Sequence, residues 1–110
     1  MDSQSSIDVV RLVGELDVSR RSELRTALSQ ATGGRAVLID LGAVSYLDST
    51  VIADLLRFRA EADENGRLVA LLIGSRQVAR VLEYAGLAQA FAVFDDRGRA
   101  LTYLAGTSPT

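Results

Sequence analysis

The chain has no cysteine, no histidine, no lysine and no tryptophan, and its one proline is Pro109. Without cysteine there are no disulfides, no thiolate nucleophile and no thiolate-held metal. Without histidine the commonest general base and the commonest metal ligand are missing as well. A serine nucleophile needs a base to take its proton, and with histidine and lysine both absent neither a triad nor a Ser-Lys dyad can be assembled. The lack of lysine also excludes a phosphate loop of the Gly-Lys-Ser/Thr type. These absences predict a protein that is not an enzyme and that holds no cofactor and no metal. No apolar run reaches membrane-spanning length, and Met1 to Ser6 is polar, without the apolar centre of a signal peptide. The expectation is therefore a cytoplasmic protein with no membrane insertion. Charge of one sign is also scarce: 12 arginines are interspersed among 14 acids, giving −2. That balance offers no electrostatic footprint for nucleic acid. Three tyrosines and three phenylalanines complete the aromatic set. Tyr46, Phe58, Tyr84, Phe91, Phe94 and Tyr103 are read as core or partly buried, with no evident stacking platform.

What is present is a soluble core: 48% of the 110 residues are hydrophobic, enough for one domain and too few for two. The stretch Ala36 to Glu64 organises the rest. Ala36-Val37-Leu38-Ile39 is a branched apolar run suited to a strand covered on both faces. Asp40 to Leu47 is read as the exit from that strand, leading to Asp48-Ser49-Thr50. Beyond it, Val51, Ile52, Leu55, Leu56 and Ala62 recur at helical spacing, with Asp54, Arg57 and Glu61 on the opposite, exposed side. Upstream, Ile7 to Val13 predicts a strand, Gly14-Glu15-Leu16-Asp17 a turn, and Ser19 to Ala31 a helix capped by Ser19 or Ser22. Gly14 and Gly42 are read as turn glycines. Downstream, Arg67 to Ile73 predicts a second central strand and Ser75 to Ala85 a helix. Phe91 to Phe94 reads as a short strand, followed by a helix capped by Asp95 or Asp96. Met1 to Ser6 and Gly106 to Thr110 are expected to fray. Strands alternating with helices over short connections predict an α/β fold with a mixed or mostly parallel sheet.

Asp48-Ser49-Thr50 falls at the C-terminal edge of a strand and the mouth of a helix, where open α/β folds place their working residues. Two readings stand side by side. Asp, Ser and Thr are ordinary helix caps that satisfy orphan amides. Ser49 is far better placed as a phosphate acceptor than as a nucleophile, because a first-turn phosphate meets free amides and the positive end of the dipole. Asp17 and Asp48 both follow strand exits, and are either neighbours on one sheet edge or two solvated loop acids.

Gly14-Glu15-Leu16-Asp17, then Val37 to Thr50 (VLIDLGAVSYLDST), then Val81 to Asp96 (VLEYAGLAQAFAVFDD) together resemble a STAS domain of the anti-sigma-factor antagonist type. The resemblance spans about Ile7 to Leu104, within a single domain of residues 1–110. It implies a small mixed sheet of four to five strands with about four helices, packed mainly on one face. It also implies a partner-switching regulator of transcription, of the kind that serves bacterial stress responses. The unphosphorylated antagonist binds an anti-sigma factor, a serine kinase that phosphorylates it and ends binding, and a protein serine phosphatase reverses the modification. The acceptor implied is Ser49, with Thr50 as second candidate. The partner surface implied is Asp17, Asp48, Ser49, Thr50, Val51, Asp54 and Arg57. Val51, Ile52 and Ala53 stand where the family pattern has glycine, leucine and a small residue. The bulkier Val51 favours an alternative: a constitutive STAS subunit, docked without phosphorylation on a lipid-transporter ATPase or a signalling complex.

Overall fold

The computed structural model describes residues 7–106. The apolar run at Ala36 does form the central strand, but that strand, β2 (Ala36–Leu47), continues well past Asp40. Likewise β1 (Ile7–Leu16) runs through Gly14 to Leu16 instead of turning there. A 3-10 turn (Val18–Arg20) leads into α1 (Arg21–Ser29); α2 (Ser49–Glu64), β3 (Leu68–Ile73) and α3 (Arg76–Tyr84) follow. A single helical turn, α4 (Leu87–Ala90), precedes the short β4 (Ala92–Phe94), and α5 (Arg97–Leu104) closes the described chain. The expected frayed segment of residues 1–6 and the tail after Gly106 lie outside the described residues.

Among the described residues four strands lie in chain order, β1-β2-β3-β4, and all three pairings are parallel. Stepping to the next strand in one direction with crossovers of one hand puts successive helices on one face of the sheet. Val37, Ile39, Leu41, Val69 and Leu71 accordingly meet Leu24 and Leu28 of α1, Val51 and Leu55 of α2, and Val78 and Leu82 of α3 in one core cluster. The alternate residues Ala36, Leu38, Ala70 and Leu72 face the other side, where Ala100 and Leu104 of α5 cover them. A strand buried on both faces needs apolar residues at every position, which explains the unbroken runs in β2 and β3.

Asp40 reads as a strand ending because an unpaired carboxylate cannot be buried. Arg97 at the start of α5 supplies its counter-charge at 2.8 Å, and its other oxygen accepts the Gly42 amide at 2.9 Å. Neutralised in this way, Asp40 stays buried inside β2. The pairing of β1 with β2 shifts register twice, between Arg11 and Val13 and between Gly14 and Glu15. Gly14 sits there with φ +83°, a left-handed conformation inside a strand. The Arg20 guanidinium donates to the Val13 and Glu15 carbonyls on either side of it, at 2.6 and 3.1 Å, and pairs with Glu23 at 2.8 Å. The start of α1 is correspondingly different from expectation. Asp17 caps the 3-10 turn, and neither Ser19 nor Ser22 caps the helix.

Gly74 is required by contact. A Cβ there would lie 2.2 Å from the Gly42 carbonyl oxygen, so one strand would have to move. Gly74→Ala is expected to cost about 1–3 kcal/mol, as overpacking does. It should appear as a lower urea midpoint with unchanged slope. Gly33→Ala, whose methyl meets nothing within 4 Å, should stay within about 0.5 kcal/mol of the parent.

Candidate functional site

The C-terminal edge of the sheet is drawn together by one backbone hydrogen bond. Leu16 is registered against Leu47 at the last step of the β1–β2 ladder, and the Asp48 amide then donates to the Leu16 carbonyl at 3.2 Å. This sets the residues after the two strands, Asp17 and Asp48, on the same edge. Both are half-exposed and cap the turns that follow them. Asp17 accepts from the Ser19 amide at 3.0 Å and from the Ser19 hydroxyl. Asp48, in extended conformation, caps α2: its Oδ1 accepts from the Thr50 amide at 3.0 Å, the Val51 amide at 3.1 Å and the Thr50 hydroxyl at 2.7 Å. The Thr50 hydroxyl first, and then the backbone amides, hold the Asp48 carboxyl below the usual carboxylate range against the opposing effect of burial.

These bonds separate the two hydroxyls that the sequence leaves as candidates. Thr50 has committed its hydroxyl to Asp48. Ser49, the first residue of α2, is exposed, and its hydroxyl makes no hydrogen bond among the described residues. Val51, expected at the partner surface, is wholly buried in the core. Its side chain turns inward and does not stand in front of Ser49.

Asp54 also departs from expectation. The helical period places it on the charged side of α2, yet its side chain is only 2% exposed, because α1 packs over it. Arg21, the first residue of α1, holds it with two hydrogen bonds, at 2.7 and 3.2 Å, and Arg57 adds a third at 3.2 Å. The Arg21 hydrogen bond is the main cause that lowers the Asp54 pKa, with burial opposing. Nothing in local spacing signals a partner 33 residues away. The Arg21 pKa is raised chiefly by its hydrogen bond to Asp54, with the charge of Asp48 as a smaller cause. Arg57 is exposed and borders a separate depression between α1 and α2, with Arg25 and Phe58.

Beside Ser49 lies an open groove of about 500 Å³ between the start of α2 and α3, lined by Tyr46, Asp48, Ile52, Arg80, Val81 and Tyr84. Tyr84 is 97%, Tyr46 42% and Tyr103 38% exposed, so the expectation that all three are core or partly buried residues is corrected. The signal that finds Tyr84 is its position off the apolar stripe of Val78, Val81 and Leu82 on α3.

Comparison with known proteins agrees with this architecture. A family model for the STAS domain matches residues 1–100. An anti-sigma factor antagonist from Mycobacterium paratuberculosis has the same fold, with a TM-score of 0.82 at 24% identity over 90% of this chain and 86% of that one. The anti-sigma factor antagonist SpoIIAA, solved in its unphosphorylated form, gives 0.70 at 21% identity over 96% and 94%. A sulfate transporter family protein from Wolinella succinogenes gives 0.74 at 20% identity over 90% and 84%.

Asp48 and Asp54 both have lowered native pKa values. Their contribution to stability is full above the ordinary carboxylate pKa and is lost as pH falls through the native values. Stability should therefore decline on acidification below about pH 4. Asp54→Asn should flatten part of that decline and cost about 1–3 kcal/mol at neutral pH, because Arg21 loses its partner where it is partly covered. Asp48→Ala should cost about 0.5–2 kcal/mol, the value of a helix cap. Urea midpoints of the parent and both variants across the acid range check all three expectations.

Proposed function

The chain belongs to the STAS-domain family, and from that membership we propose that it acts as an anti-sigma-factor antagonist, a cytoplasmic, non-enzymatic partner switch controlled by phosphorylation of Ser49. Its partner is an anti-sigma factor with serine kinase activity, and a protein serine phosphatase resets the switch. The observation that carries this reading is the free, exposed Ser49 hydroxyl beside a Thr50 hydroxyl already bound to Asp48. The two solved anti-sigma factor antagonists of the same fold, one of them in its unphosphorylated form, support it.

The physics needs no change of fold. A phosphate adds roughly −1.5 to −2 charge on the same edge as the carboxylates of Asp48 and Asp17. At a docked surface, like charges brought together cost several kcal/mol. Every 1.4 kcal/mol is about tenfold in affinity. Asp17, Asp48, Ser49, Thr50 and Arg57 form the contact surface in this reading, while the buried Val51 and Asp54 hold α2 in place beneath it.

A second reading has its own support. The sulfate transporter family neighbour favours a constitutive STAS subunit that docks without phosphorylation on a transporter or a larger complex. Such a subunit would remain with its partner regardless of ATP.

Intact mass of the protein recovered from its native cells, with fragment mapping, should show one phosphate on Ser49. Ser49→Ala should bind the kinase partner constitutively, and Ser49→Asp should bind at least about tenfold more weakly. Equal affinity of the two variants, with no phosphate under any growth condition, would move the assignment to the constitutive subunit.

A further inference from the structure

We propose that the groove between the first turn of α2 and α3 seats an apolar segment of the partner that carries a carboxylate, with Arg80 as its counter-charge. The inference rests on the antagonist reading of Ser49 and adds to it the seat and the chemistry of what sits there.

Three observations carry it. The first is apolar exposure. Tyr84 is 97% and Tyr46 42% exposed, and they flank Ile52 and Val81 across one open groove. Tyrosines are rigid and amphipathic, and they are enriched among the few residues that carry most of the binding energy at interfaces.

The second is charge. Arg80 and Tyr84 lie four apart on α3 and so share one face of the helix. Arg80 is exposed and makes no ion pair among the described residues. The other charge at the groove is Asp48, whose Oδ1 is taken up by Thr50 and Val51. Those donors are neutral, so Asp48 stays a fixed negative charge at the α2 end of the groove. Arg80 on α3 is a cation without an ion pair among the described residues, and its complement is a carboxylate flanked by apolar side chains.

The third is position. Ser49 lines the same groove as Arg80. A phosphate there competes for the Arg80 guanidinium within the molecule and repels an incoming carboxylate, so modification closes the seat through charge alone. The groove thus connects the switch to a recognition surface.

The test uses the kinase partner purified with the wild-type chain and titrated calorimetrically against four variants. Arg80→Glu and Tyr84→Ala should each weaken binding by about tenfold or more. Both side chains are exposed, so neither variant should shift the melting temperature. Arg80→Ala should also reduce the salt dependence of affinity, and Ser49→Asp should weaken binding in parallel. If Arg80→Glu and Tyr84→Ala bind within about twofold of wild type while Ser49→Asp does not, the groove is overturned and the antagonist reading stands. If the groove variants weaken binding and Ser49→Asp does not, the seat stands and the phosphorylation switch falls. A wild-type chain that retains no kinase partner overturns both. A homodimer that Tyr84→Ala dissolves in sedimentation gives the groove to a second copy and overturns the partner assignment.

Discussion

The arrangement depends on what Asp48 does with its backbone and its side chain together. Its amide closes the β1–β2 ladder on Leu16, while its carboxylate collects two amides and a hydroxyl from the first turn of α2. A helix end leaves several amides without intrahelical partners, and one side chain placed at the strand exit meets that need. The result fixes the angle at which α2 leaves the sheet and the direction Ser49 faces. A residue that reads as an ordinary cap thereby makes two neighbouring hydroxyls unlike, that of Thr50 bound and that of Ser49 without a hydrogen bond among the described residues. Capping and the proposed acceptor role are not rival explanations of the motif, because the cap occupies the Thr50 hydroxyl and leaves that of Ser49 exposed.

Two further acids are buried, and both are neutralised across long stretches of sequence. Asp40 in β2 is met by Arg97 at the head of α5, and Asp54 in α2 by Arg21 at the head of α1. In each case the arginine stands at the beginning of a helix, where its long apolar stem can lie along the surface while its planar head reaches inward. A buried ion pair adds little net stability over an apolar packing of the same shape, but breaking one is expensive. Each pair thus fixes where its helix sits more than how strongly the domain holds together. Arg21 and Arg97 locate α1 and α5 on opposite faces of the same sheet.

Much of this was legible in the sequence where the signal was local. The apolar runs at Ala36 and Leu68, the helical stripes of α2 and α3, and the Asp-Ser-Thr mouth of α2 all depend on near neighbours. The expectations failed where a distant residue decided the outcome. β2 continues past Asp40 because of an arginine 57 positions later, and Asp54 goes inside because of one 33 positions earlier. β1 continues past Gly14 because a doubled register shift turns a turn-forming glycine into part of a strand. The groove was missed for another reason. Aromatic residues are usually covered, and only the position of Tyr84 off the α3 stripe marks it as an exception.

The order of the strands also bears on how such a chain is made. Each strand is laid beside the one before it, so every βα unit leaving the ribosome can dock on a finished neighbour without waiting for a distant segment. The exception is the far face of the sheet. Ala36, Leu38, Ala70 and Leu72 have no cover until α5, the last described element, arrives with Ala100 and Leu104. Until then a nascent chain carries the completed Asp17–Asp48 edge on a sheet whose other face is still uncovered. A product truncated before α5 would therefore resemble the finished protein at that edge while exposing an apolar, aggregation-prone face behind it.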